Sequence, residues 1–167
     1  TGCGLPMSPR ALRLDAYLPY RLSVASNAVS GLIARAYEDR FGLTVPQWRL
    51  MCVLAEDGPS TPAQIVARTV MDKVTVSRAA QGLLKRRLIT AARNESDGRS
   101  HVLTMTDEGR RLHDEVSPLA LAYENELIAD LSAAEVETLH GLLSRIQSAA
   151  GRLASSPADP AKRTPRD

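Results

Sequence analysis

Lys73, Ser77 and Gln81 fall at steps of four in the stretch KVTVSRAAQGLLKRR, with Val74 and Arg78 beside them. On a helix that spacing gathers the five residues on one side. Val76, Ala79, Ala80 and Leu83 recur at i, i+3, i+4 and i+7 on the opposite side, the pattern of a stripe buried against a core. The polar side suits the base edges of a DNA major groove. Arginine pairs bidentately with guanine, glutamine with adenine, and an apolar side chain meets the thymine methyl. Lys85, Arg86 and Arg87 follow directly, and they suit phosphates. A solvated amphipathic helix carries the same pattern, so the flanking sequence has to decide.

The next segment, NESDGRSHVLTMT, breaks the helical periodicity. Asp97-Gly98 is a turn signal, and the residues on either side have strand-like composition. A hairpin is expected, with strands near Leu88 to Arg93 and His101 to Met105. Arg93 and Arg99 lie on its two arms. A β-ribbon beside such a helix can reach the neighbouring minor groove, where narrow A·T tracts attract arginine.

Charge supports that reading. Between Arg68 and Arg99, eight basic and three acidic residues leave +5, while the remaining 13 basic and 16 acidic residues leave −3. A basic centre in an acidic frame is the electrostatic footprint of a polyanion partner.

Other chemistries find little support. His101, His113 and His140 fall on different expected elements with no nucleophile motif nearby, so no catalytic residue is assigned. Cys3 and Cys52 give no disulfide framework and no metal-ligand spacing, so no metal and no cofactor is expected. A thiol-based redox sensor would need an accessible thiol of low pKa. Cys52 lies between Met51 and Val53 on an apolar helix face, where it reads as buried filler. No apolar run approaches the ~18 residues that span a bilayer, and the N-terminus lacks the order of a secretory signal. A cytoplasmic setting without membrane contact is expected.

Six helices are needed to position these residues. The first starts near Pro19 and stops at Gly42. Thr44-x-x-Gln47 and Thr61-x-x-Gln64 are capping boxes with proline in the first turn, and they open the second and third helices. The second stops at Asp57-Gly58-Pro59. Asp72 caps the fourth, expected over about Lys73 to Arg87, so the third and fourth read as a helix-turn-helix. Thr106 caps the fifth, in which Pro118 predicts a kink. Ser132-x-x-Glu135 opens the sixth, where Val136, Leu139, Leu143, Ile146, Ala150 and Leu153 step by three and four. That narrow seam is the pattern of helix pairing. Leu22 and Val29 belong to a similar seam in the first helix, and a second copy of the chain is the economical partner.

The expected fold is mainly α with a small β-hairpin wing: a winged helix-turn-helix flanked by N- and C-terminal dimerisation helices. Residues 1–16 are expected to be a flexible N-terminus, with residues 1–6 open to a cloning origin or an upstream start. Residues 17–43 form the N-terminal dimerisation helix, 44–106 the DNA-binding domain, 107–154 the C-terminal dimerisation helices and 155–167 a disordered tail.

LTVPQWRLMCVLAEDGPSTPAQIVARTVMDKVTVSRAAQGLLKRRLI, followed by SDGRSHVLTMTDEG, strongly resembles the MarR family of bacterial transcription regulators. The resemblance runs from Tyr17 to about Leu153. Its most specific elements are Gln47, Thr61-Pro62, Asp72-Lys73 with Thr75-Val76-Ser77-Arg78, and Asp97-x-Arg99 leading to Thr106-x-x-Gly109. It implies a homodimer on a double-stranded operator with an inverted repeat, commonly a repressor released by a small aromatic acid or phenol. It also implies that Asp97 holds Arg99 in the wing, and it adds Thr75 to the DNA-binding set. Three positions depart from the family pattern. Gly82 stands where a longer residue is usual, Arg87 stands in place of a glycine before the wing, and Glu95 puts an acid near the wing tip. An effector would suit the junction of the first, second and fifth helices, where Tyr17, Tyr20, Arg21, Trp48 and Arg49 offer aromatic faces and carboxylate partners. The competing function is DNA binding without an effector, as in an architectural protein.

Overall fold

Every α-helix after the first begins where a side chain accepts a free backbone N–H. The computed structural model describes residues 12–93 and 101–155. After a short 3-10 turn at Leu14–Ala16 come α1 (Leu18–Phe41), α2 (Val45–Glu56), α3 (Pro62–Thr69) and α4 (Lys73–Lys85). Strands β1 (Ile89–Arg93) and β2 (His101–Met105) precede α5 (Asp107–Leu127) and α6 (Ala133–Ser155). Both halves of the Thr44/Gln47 and Thr61/Gln64 capping boxes are formed. Ser132 and Glu135 repeat the arrangement: the Ser132 amide donates to Glu135 Oε2 at 2.8 Å, and the Glu135 amide donates to Ser132 Oγ at 3.3 Å. The Ser132 amide, and then the Ser132 hydroxyl at 2.7 Å from the same oxygen, hold the Glu135 carboxyl below the usual carboxylate range.

The chain divides into two units, one running to Leu121 and the other starting at Ala122. The first contains the core: Tyr37 and Leu43, a cluster on α2 (Leu50, Met51, Val53, Leu54), Ile65, Val76 and Leu83, with Leu88, Ile89, Leu103 and Met105 from the hairpin base and Val116 from α5. It is almost wholly aliphatic, as the sparse aromatics require. β1 and β2 pair antiparallel from Ile89↔Met105 to Arg93↔His101. Ser60 adds a bridge to the other edge of β2, its N–H donating to the Leu103 carbonyl at 3.0 Å and its carbonyl accepting the Leu103 N–H at 2.9 Å. The hairpin base is thereby fastened to the loop that leads into α3.

Two boundaries, those of α4 and α6, differ from the sequence reading. α4 stops at Lys85 because Arg87 takes a positive φ of 59°, which a right-handed helix cannot continue. Glycine is the usual residue for that conformation, so the departure at Arg87 costs backbone strain at the entry to β1. α6 includes Ser155, whose hydroxyl donates to the Gly151 carbonyl at 2.5 Å, whereas the sequence reading put Ser155 in the tail; residues 156–167 lie outside the described residues. α5 continues through Pro118 to Leu127.

Candidate nucleic-acid interface

Asp72 sets where the candidate recognition helix begins. The Thr75 N–H donates to Asp72 Oδ1 at 2.8 Å and the Thr75 hydroxyl to Oδ2 at 2.6 Å. These bonds, the hydroxyl's first, hold the Asp72 carboxyl below its ordinary range, because they favour the charged form. Thr75 is therefore engaged in capping. Lys73, Val74, Ser77, Arg78 and Gln81 are all exposed, while Val76, Ala79, Ala80 and Leu83 are buried. The two sides of α4 thus separate as the periodicity requires. Among the described residues, Arg78 and Gln81 have no hydrogen-bond or ion-pair partner within the chain. Their planar ends remain available to an external ligand.

The basic residues differ in their surroundings. Lys85 and Arg87 are exposed at the end of α4, and Arg93 is exposed opposite His101. Arg68 bridges back to the end of α2, reaching Glu56 at 2.8 Å and Asp57 at 3.4 Å. Arg86, expected on a phosphate, instead donates to the carbonyls of Gly42 at 2.8 Å and Phe41 at 3.0 Å. Charge counting misses this because the bonds join residues far apart in sequence. Asp97, Arg99 and Cys3 lie outside the described residues.

Two glycines allow close approaches around this face. A Cβ at Gly82 would overlap the side-chain amide nitrogen of Gln47, the same side chain that closes the α2 capping box. A Cβ at Gly109 would overlap the Leu88 carbonyl. The Thr106 hydroxyl lies 2.9 and 3.0 Å from the Arg87 and Leu88 carbonyls and accepts the Gly109 N–H at 3.0 Å. One threonine therefore caps α5 and ties it to the turn before the hairpin.

The residues grouped as an effector pocket do not come together within one chain. Trp48 is half-buried between Tyr37 of α1, with ring centroids 5.5 Å apart, and His113 of α5, stacked at 5.1 Å. Tyr17, Tyr20 and Arg21 are exposed at the other end of α1, and Tyr20 lies about 25 Å along the helix axis from Tyr37. Arg49 is exposed beside Trp48. His113, 3.4 Å from the Asp114 carboxylate, was not singled out from the sequence as part of this junction. Cys52 is partly buried, and its thiol is pushed up to about 11, first by burial and then by the Glu56 charge. At neutral pH it is a protonated thiol, which opposes peroxide sensing.

The seam on α6 is left largely exposed among the described residues. No α6 residue is buried, and Leu139, Leu143 and Leu153 remain 42%, 37% and 53% exposed. Val136 and Ile146 are half-buried and Ala150 is exposed, while Leu22 and Val29 are half-buried on α1. No described helix is long and apolar enough to cross a membrane.

A model described as the MarR family matches residues 41–100, which span the whole helix-turn-helix. A probable transcriptional regulator from Pseudomonas aeruginosa, known as a crystal structure, is 31% identical with a TM-score of 0.72, covering 80% of this chain and 99% of its own. The structure of Bordetella bronchiseptica BpsR, solved to explain regulation of its DNA binding by 6-hydroxynicotinic acid, is 25% identical with a TM-score of 0.72, covering 78% of this chain and 98% of BpsR. The transcriptional repressor NicR of Pseudomonas putida is 28% identical over 93 residues, 56% of this chain. That match spans only 59% of the length of NicR.

Proposed function

The chain belongs to the MarR family of transcription regulators, and from that premise we propose that it is a homodimeric repressor of an inverted-repeat operator, released by a small aromatic acid or phenol. The observation that carries the DNA-binding part is the exposed pair Arg78 and Gln81, without partners among the described residues, on a helix whose start is fixed by Asp72 and whose other side is buried. In this reading α4 enters the major groove, Arg78 and Gln81 read base edges, and Lys73, Val74 and Ser77 set the register. Thr75 acts through the Asp72 cap. Lys85 and Arg87 meet phosphates, and Arg93 and Arg99 reach the minor groove, with Asp97 holding Arg99. Arg86 leaves the phosphate set because its fork is already engaged with the Gly42 and Phe41 carbonyls.

Dimerisation is supported by the exposed apolar residues of α6 and of α1, where Leu18 and Val24 are 54% and 47% exposed. A helix with an apolar seam gains most of its stability by burying it. The aromatic-acid effector is supported by BpsR, whose DNA binding responds to such an acid. The repressor assignment is supported by NicR.

Trp48 is the only tryptophan, and its place between Tyr37 and His113 makes its emission a reporter of the α1–α2–α5 junction. Titration with a panel of aromatic acids and phenols should give a saturable change, and the active compound should release bound DNA. Transcription from a template carrying the bound sequence should fall when the protein is added and recover with that compound. Silent emission together with undiminished DNA binding across the panel would contradict the effector part alone.

A further inference from the structure

Arg86 follows the last residue of α4, and its guanidinium is engaged at the C-terminal end of α1. Nη1 donates to the Gly42 carbonyl at 2.8 Å and Nη2 to the Phe41 carbonyl at 3.0 Å. α1 ends there: Gly42 turns left-handed at φ 61°, its N–H returns to Glu38, and the Leu43 N–H returns to Tyr37. The last carbonyls of a helix have no partner within it. A cation at that point also meets the negative end of the helix dipole. The planar fork of a guanidinium can address two adjacent carbonyls in fixed geometry, whereas an ammonium acts as a point charge.

A second contact lies one turn earlier on α4. Gly82 faces the Gln47 side chain so closely that a Cβ there would have to displace the Gln47 amide nitrogen. Gln47 is bonded to Thr44 at the start of α2 through its side-chain oxygen at 3.0 Å and its own N–H at 3.3 Å. The end of α1, the first turn of α2 and the last turn of α4 therefore form one fastened junction. Two different kinds of contact hold the end of the recognition helix in this junction: a fork of hydrogen bonds onto the end of α1, and the close packing of Gly82 against the Gln47 side chain of α2.

We propose that Arg86 is a positioning residue which couples the recognition helix to α1 and so fixes the half-site spacing that the dimer accepts. The inference rests on the dimeric reading above. In a two-fold assembly joined through α1, play at this junction occurs once in each protomer, so the separation of the two recognition helices changes by both amounts. Arg86 then contributes to specificity without touching DNA, and its charge does not enter the count of neutralised phosphates.

The test uses the half-site that the wild-type chain enriches from random DNA. It is built into inverted repeats whose separation varies in single base-pair steps, and into an isolated half-site. Wild type, Arg86→Lys and Arg86→Ala are titrated against each duplex over a salt series, with melting curves to confirm folding. Wild type should prefer one spacing by at least about tenfold, since a wrong spacing forfeits two-site engagement. Both variants should lose most of that preference and keep the wild-type slope of log K against log salt. Arg86→Lys is the decisive variant, because it keeps the charge and loses the fork. If it binds like wild type while Arg86→Ala loses about one unit of slope, Arg86 is a phosphate contact and the proposal is overturned. Folded variants that keep the full spacing preference overturn it as well. A wild type that binds the isolated half-site as well as any repeat overturns the dimeric reading itself, a result visible without the variants.

Discussion

Arg78 and Arg86 lie two turns apart on and just beyond α4, carry the same charge and are both exposed, yet their surroundings give them different work. Arg86 has two backbone acceptors within the chain, whereas Arg78 has no partner among the described residues. Removing Arg78 should therefore leave stability almost unchanged. Arg78→Ala should cost ~1–3 kcal/mol on the preferred DNA site and relax its sequence preference. Titrations on the preferred site and on random duplexes check this, and an equal loss on both would make Arg78 a phosphate contact. The exposed ion pairs of Arg68 with Glu56 and Asp57 contribute only ~0–1 kcal/mol to folding. Their consequence is electrostatic: they draw Arg68 out of the positive patch inferred from sequence.

The elements were legible in the sequence because capping is local. Thr44 with Gln47, Thr61 with Gln64, Ser132 with Glu135 and Asp72 with Thr75 each lie within four residues, so a reader of one sequence can place the bonds. Long-range partners carry no such signal. Nothing near Arg86 announces Phe41, and nothing near Ser60 announces Leu103. Gly82 reads as a defect until Gln47 is seen against it. Helix propensity says that Gly82→Ala should stabilise by ~1 kcal/mol, but the new Cβ must displace the Gln47 amide and endanger a cap worth ~0.5–2 kcal/mol. A double-mutant cycle separates these effects. Gly82→Ala should be neutral or destabilising alone and stabilising in a Gln47→Ala background, with a coupling of ~1 kcal/mol. Equal stabilisation in both backgrounds would mean that Gln47 does not occupy that site. The turn between α3 and α4 holds a second local anomaly. Val70 adopts φ 58° while 89% exposed, a left-handed conformation that costs a β-branched residue ~1–2 kcal/mol and gains little burial in return. Val70→Asn should raise the melting temperature, because asparagine tolerates that region. A lower one would mean that the isopropyl group makes packing contacts its exposure does not suggest.

At the scale of the molecule, a buried aliphatic core holds one capped helix with an open polar face, while apolar residues on α1 and α6 stay exposed. A single chain leaves both faces unsatisfied. In the proposed assembly, DNA with dyad symmetry and a second protomer would satisfy them together, since two-fold assembly presents two recognition helices to successive major grooves. The most direct test of this account is selection of bound duplexes from a random pool by the purified chain, followed by sequencing. The account predicts an enriched inverted repeat with half-site centres about one helical turn, ~34 Å, apart. No enrichment over the input pool, or an enriched sequence without dyad symmetry, would contradict it.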